Sequence, residues 1–128
     1  MLPADATGLL EEAYRAWNAD GPRAFVKFAT DDVEVLDAPE LPDAQRWTGR
    51  DAVVGRLEEV VATTGGTWAD VDDVRAVGNE VLVSLTWRME RGGSATLAAV
   101  YHLVGVEGDR IARVRVFLEE AAALQAAG

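Results

Sequence analysis

The hydrophobic period of this chain changes once, near Trp68, and that change constrains the fold more than any other feature. Before it, apolar residues recur at helical spacing. Leu9, Leu10, Ala13, Tyr14 and Trp17 share one face of a first helix, which Asp20-Gly21-Pro22 closes. A short second helix carries Phe25 and Phe28 and stops near Thr30-Asp31-Asp32. A third opens at Thr48-Gly49-Arg50-Asp51, turns Val53, Leu57, Val60 and Val61 inward, and ends at Thr63-Thr64-Gly65-Gly66. From Trp68 onward the period is two. Strands are predicted over 68–78, 80–90, 95–106 and 110–118, with turns at Gly78-Asn79, Arg91-Gly92-Gly93-Ser94 and Glu107-Gly108-Asp109. One earlier strand, 33–37, sits between the second and third helices and leads into a loop of proline and acid, APELPDAQRW. The tail, EEAAALQAAG, reads as a short helical extension or a frayed end.

The order α-α-β-α-β-β-β-β implies an α+β fold: three N-terminal helices packed on one face of a curved, mostly antiparallel sheet. Such a cone-shaped barrel leaves a cavity between helices and sheet, where a small ligand would sit. The 128 residues are read as one domain, 1–128, with no internal repeat or linker.

Charge and composition remove several function classes. The net charge of −10 argues against nucleic acid and anionic membranes, both of which need clustered Lys and Arg. It also fits a solubility device and a GC-rich genome. With no cysteine, disulfides and thiolate catalysis are excluded, and a metal site would have one His and carboxylates to draw on, so none is expected. No apolar run reaches membrane-spanning length, and the start, MLPADATGLLEE, lacks the form of a signal peptide, so a cytoplasmic protein is the default expectation. No Ser/His/Asp set, phosphate-binding glycine loop or dinucleotide fingerprint appears, and no cofactor is expected.

Asp37 is the residue that points to chemistry. In VEVLD it alternates onto the face of Val33 and Val35, where a strand should bury only apolar groups. An inward carboxylate must hold its proton or find a partner, and such groups concentrate in active sites. The competing reading ends the strand at Asp37 and has its carboxylate cap the turn into Ala38-Pro39. In the later strands Val83, Leu85, Trp87 and Met89 share a face, and Val114, Val116 and Leu118 oppose Arg113, Arg115 and Phe117. Tyr101 shares a face with Leu97, Ala99 and Leu103, which is taken as the inward one.

The stretches LLEEAYRAWNADGPRAF, FATDDVEVLDAP, WTGRDAV and YHLVGVEGDRIARVRVFLEE cover nearly the whole chain. Together they resemble the nuclear-transport-factor-2-like superfamily, and within it the SnoaL-like proteins. The resemblance implies the cone-shaped α+β barrel but no single reaction, since the superfamily spans steroid isomerases, dehydratases, polyketide cyclases, epoxide hydrolases and members without catalysis. Compared with ketosteroid isomerase, Asp37 occupies the place of the general base. The family's helix-one tyrosine falls at Ala13, with Tyr14 one residue away, and its protonated acid falls at Tyr101. Compared with the epoxide hydrolases, no Asp-Arg-Asp set is found at inward positions.

These readings combine into an expected catalytic pair, Asp37 and Tyr101. The expected pocket comprises Tyr14, Trp17, Trp47, Leu57, Val83, Leu85, Trp87, Met89, Val116 and Leu118. The expected function is a cofactor-independent isomerase, cyclase or lyase acting on a small apolar molecule. The alternative is a non-catalytic, dimeric ligand- or partner-binding module. His102, the single histidine, is expected on the outer sheet face. There Leu82, Arg88, Arg113 and Phe117 would join it in a homodimer interface. The pairs Asp31-Asp32 and Asp72-Asp73 read as solvated turns, and Arg50 with Asp51 as the lead-in to the third helix.

Overall fold

Leu10, Ala13, Tyr14 and Trp17 form the buried stripe of α1 (Ala6–Asp20) in the computed structural model, which describes residues 5–63, 67–91 and 93–127. Gly21 ends α1 with φ of 87°, a conformation that favours glycine, and its N–H donates to the Trp17 carbonyl at 2.8 Å. Pro22, which has no N–H to satisfy, then starts α2 (Pro22–Val26). The remaining elements are β1 (Ala29–Leu36), β2 (Arg46–Thr48), α3 (Arg50–Thr63), β3 (Thr67–Val77), β4 (Glu80–Arg91), β5 (Ser94–Glu107), β6 (Arg110–Phe117) and α4 (Glu120–Ala127). Of the expected turns, Thr64-Gly65-Gly66 and Gly92 lie outside the described residues.

The six strands form one sheet in the order β2-β1-β6-β5-β4-β3, in which the β1–β6 pair is parallel and every other pair antiparallel. Helices α1 to α3 pack on the inner face, where Val33, Val83, Leu85, Val104, Ile111 and Val114 close the main core. The outer face carries a second core: Leu82, Leu103 and Phe117 lie beneath Ala123 of α4. The tail is therefore a packed helix, ordered by apolar residues that the sheet offers on its far side.

Two acid pairs that read as turns lie within strands. Asp31 and Asp32 sit exposed in β1, where the register against β6 shifts between Ala29 and Glu34. Asp72 is the extra residue where the β3–β4 register shifts between Val71 and Asp73. Two adjacent solvated carboxylates break strict alternation, and a bulge absorbs the break without ending the strand. Strand β2 was expected as loop; three residues are too few to show a period.

Outer-face expectations need correction. Antiparallel pairing sets Tyr101 opposite Ser84 and Phe117, so its ring packs on the outer core beside Leu82 and Phe117. His102 pairs with Val83 and Val116 and points inward. Leu82 and Phe117, expected at a dimer interface, are 0% and 7% exposed beneath α4. Arg113 and Arg115 do point outward, where both bind Glu80.

At the open edge of the sheet, Asn18 of α1 donates to the Ala69 carbonyl at 2.7 Å and accepts from the Ala69 N–H at 2.9 Å. One amide side chain thus acts as a neighbouring strand for β3 and ties α1 across the cone. Among the described residues, no helix is long and apolar enough to cross a membrane.

Candidate active site

A cavity of about 370 Å³ lies between the helices and the inner sheet face, within the roughly 300–1,000 Å³ range of small-molecule pockets. Tyr14, Trp17, Leu57, Trp87, Met89, Val116 and Leu118 line it, and so does Asp37. Val83 and Leu85 share the inward face but are 0% and 1% exposed in the core and do not reach the cavity. Trp47 stands behind Asp37 and is likewise absent from the lining. Trp17 and Trp87, 5.7 Å apart by ring centroid, form part of an aromatic wall completed by Tyr14 and Phe25.

Two polar stations interrupt the apolar lining. The first is Asp37, whose side chain is only 8% exposed. Arg56 Nε donates to its Oδ1 at 3.2 Å, and the Gln45 N–H donates to its Oδ2 at 3.1 Å. Trp47 Nε1 lies 3.5 Å from the same Oδ2. The Asp37 N–H in turn donates to the Gln45 carbonyl at 3.0 Å, closing the loop that brings Leu41 to the cavity. Both readings of Asp37 therefore have a structural counterpart: it faces the cavity, and it closes a turn.

Arg56 was missed, although it lies on the α3 stripe between Val53 and Val60. Its guanidinium lies 5.5 Å from the Trp47 ring centroid and also binds Glu59 at 3.1 Å. Asp37, Arg56 and Glu59 thus form an acid–arginine–acid chain, of which only Asp37 and Arg56 line the cavity. It is unsymmetrical, because Glu59 is 62% exposed.

The second station is Tyr14 with His102, in which the phenol oxygen lies 2.6 Å from Nδ1. Burial raises the Tyr14 phenol well above its ordinary pKa and lowers the His102 imidazole to about 4, so both groups are neutral near pH 7. The phenol is the donor. The reverse arrangement would leave a hydroxyl proton without an acceptor in a side chain that is 2% exposed. Nδ1 therefore accepts, and Nε2 carries the imidazole proton. Nε2 has no hydrogen-bond partner among the described residues, and the imidazole is part of the cavity lining.

His102 was misplaced because β5 carries apolar residues on both faces. The signal that places it correctly is the hairpin: pairing Arg91 with Ser94 sets Val83, inward in β4, opposite His102.

The fold is found in known proteins. The family model of the SnoaL-like domain matches residues 10–114, most of the chain. This chain belongs to the SnoaL-like family. No curated protein matches its sequence. Among solved structures, TerC co-crystallised with polyporic acid aligns over 97% of this chain and 98% of its own, at 13% identity and a TM-score of 0.78. A nuclear-transport-factor-2-like protein from Burkholderia pseudomallei aligns over 96% and 97%, at 17% identity and a TM-score of 0.75. A protein from Catenulispora acidiphila with a ketosteroid-isomerase-like fold, in complex with trimethylamine, covers 98% of this SnoaL-like chain and 92% of its own, at 15% identity and a TM-score of 0.73. At these identities the likeness is one of fold.

Proposed function

We propose that this SnoaL-like domain binds a small, largely apolar molecule in its cavity and moves a proton on it, as an isomerase, cyclase or lyase working through side chains alone. The observation that carries the reading is that Asp37 faces the same apolar cavity as the Tyr14–His102 pair. Asp37 is the acid/base: Oδ1 accepts a hydrogen bond from Arg56 and retains acceptor capacity for a substrate proton. Arg56 holds the carboxylate in place across the reaction. His102, in place of Tyr101, is the donor to the oxygen on which charge develops as Asp37 moves the proton. Two similarly folded proteins crystallised with small organic molecules, TerC and the Catenulispora protein, support a ligand-binding reading.

A proton-transfer assay that needs no known substrate tests this. Small cyclic ketones are incubated with the protein in deuterated water, and exchange of the hydrogens next to the carbonyl is followed by NMR. Accelerated exchange that falls by about 100-fold or more in Asp37→Asn supports the base role, since a positioned acid/base contributes about 10²–10⁴-fold. Exchange undiminished in Asp37→Asn sinks it.

The non-catalytic reading draws on the same residue. Arg56, the Gln45 N–H and Trp47 surround the Asp37 carboxylate as a structural lock would. Binding without any exchange would favour that reading. In either case we propose a homodimer through the part of the outer face that α4 leaves open. There Trp68, 46% exposed, and Leu97, 63% exposed, flank Arg88 in one cross-strand row.

A further inference from the structure

The Tyr14–His102 pair decides what kind of apolar molecule the cavity accepts. We propose that His102 Nε2–H is the donor that selects ligands bearing a hydrogen-bond acceptor, a carbonyl above all, and that Tyr14 is the residue that fixes its tautomer. The inference rests on the cavity reading above and deepens it.

The geometry supports each step. The cavity wall is aromatic and aliphatic, so a polar ligand atom that enters loses its water and must find a partner inside. Asp37 supplies carboxylate oxygens, and its neighbour Arg56 turns Nε to Asp37 and Nη1 to Glu59. The Tyr14 hydroxyl has spent its proton on Nδ1 at 2.6 Å. His102 Nε2–H is a donor of the lining that has no hydrogen-bond partner among the described residues. Tyr14 lies on α1 and His102 on β5, so the imidazole is gripped from across the cavity, with the Trp87 ring centroid 6.3 Å from its own. A neutral imidazole in water interconverts between tautomers. Here one tautomer keeps the phenol proton bonded and the other strands it, so the donor is aimed before a ligand arrives.

An acceptor-bearing ligand gains a hydrogen bond, whereas its hydrocarbon analogue leaves Nε2–H unpaired. Without the donor the preference should reverse, because the carbonyl is the more strongly hydrated of the two and loses more on entering a dry cavity.

The test uses 1-indanone and indane, one bicyclic frame with and without the oxygen, measured by equilibrium dialysis against the intact protein. The wild type should bind indanone about tenfold or more tighter than indane. His102→Leu should erase or reverse that ratio while indane still binds. In parallel, ¹⁵N NMR of the imidazole should show Nε2 protonated and Nδ1 bare in the wild type. Tyr14→Phe should convert that signature to a mixture and shrink the indanone preference without loosening indane. If neither compound binds, the cavity reading falls and this proposal with it. If both bind but indane binds as well as indanone, or the ratio survives His102→Leu, the proposal alone is overturned. A wild-type spectrum with Nδ1 protonated overturns the role given to Tyr14 and needs no variant.

Discussion

Asp37 and His102 are the two polar residues whose environments make them sensitive to single changes. Asp37→Ala leaves the Arg56 guanidinium, 21% exposed, and the Gln45 N–H short of a partner, and should cost about 1–3 kcal/mol in urea unfolding. His102 is the pH-sensitive residue. In the unfolded chain its imidazole titrates near 6.5, and in the fold burial holds it to about 4, so between these values the unfolded state binds the extra proton. Stability should therefore fall as pH drops from about 6.5 to 4, by on the order of 3 kcal/mol at 1.36 kcal/mol per unit. Carboxylates titrate in the same window, so the readout is the difference in slope between wild type and His102→Leu. Equal slopes would contradict the buried neutral imidazole. At this scale alternation singled out Asp37 as one carboxylate among valines and left its capping role open. Tyr101 and His102 were not distinguishable in that way. Adjacent residues on a strand point to opposite faces, and both faces of β5 bury apolar groups.

At the scale of elements, the long periodic segments formed where the pattern placed them, whereas β1 begins at Ala29 and β2 was not expected at all. Helix α1 buries one stripe and β4 one long inner stripe, with Leu82 alone among its described residues buried on the outer face, so period and position agree. Strand β2 has only three residues and is defined by its pairing with β1, information that no local window contains. Helix α4 owes its order to Leu82, Leu103 and Phe117, which lie in three different strands. Phe117→Ala should accordingly destabilise the protein by about 2–4 kcal/mol, through a cavity on the outer face, and should leave the inner cavity intact. Asn18→Ala removes both hydrogen bonds to Ala69 and should cost about 1–2 kcal/mol. Amide exchange localises that loss: the Ala69 N–H should lose protection ahead of the β4–β5 hairpin.

For the whole molecule, net charge and association belong together. A charge of −10 keeps copies apart at low salt, while the open row of Trp68 and Leu97 favours bringing them together. Dimerisation through that row should strengthen as salt is added, and Leu97→Glu should yield monomers in sedimentation at micromolar concentration. A monomeric wild type at all salt concentrations would rule the interface out. What the sequence by itself determined was the order of the longer elements, the inward face of each singly packed strand or helix, and a carboxylate displaced onto an apolar face. Each of these is a local consequence of period, which a dozen residues suffice to express. What only the tertiary structure decided was which side chains meet. Arg56 with Asp37, and Tyr14 with His102, join residues 19 and 88 positions apart. Such contacts depend on strand register and helix docking, which depend in turn on how the two cores close. A one-residue slip in register sends an imidazole out of the cavity and a phenol in.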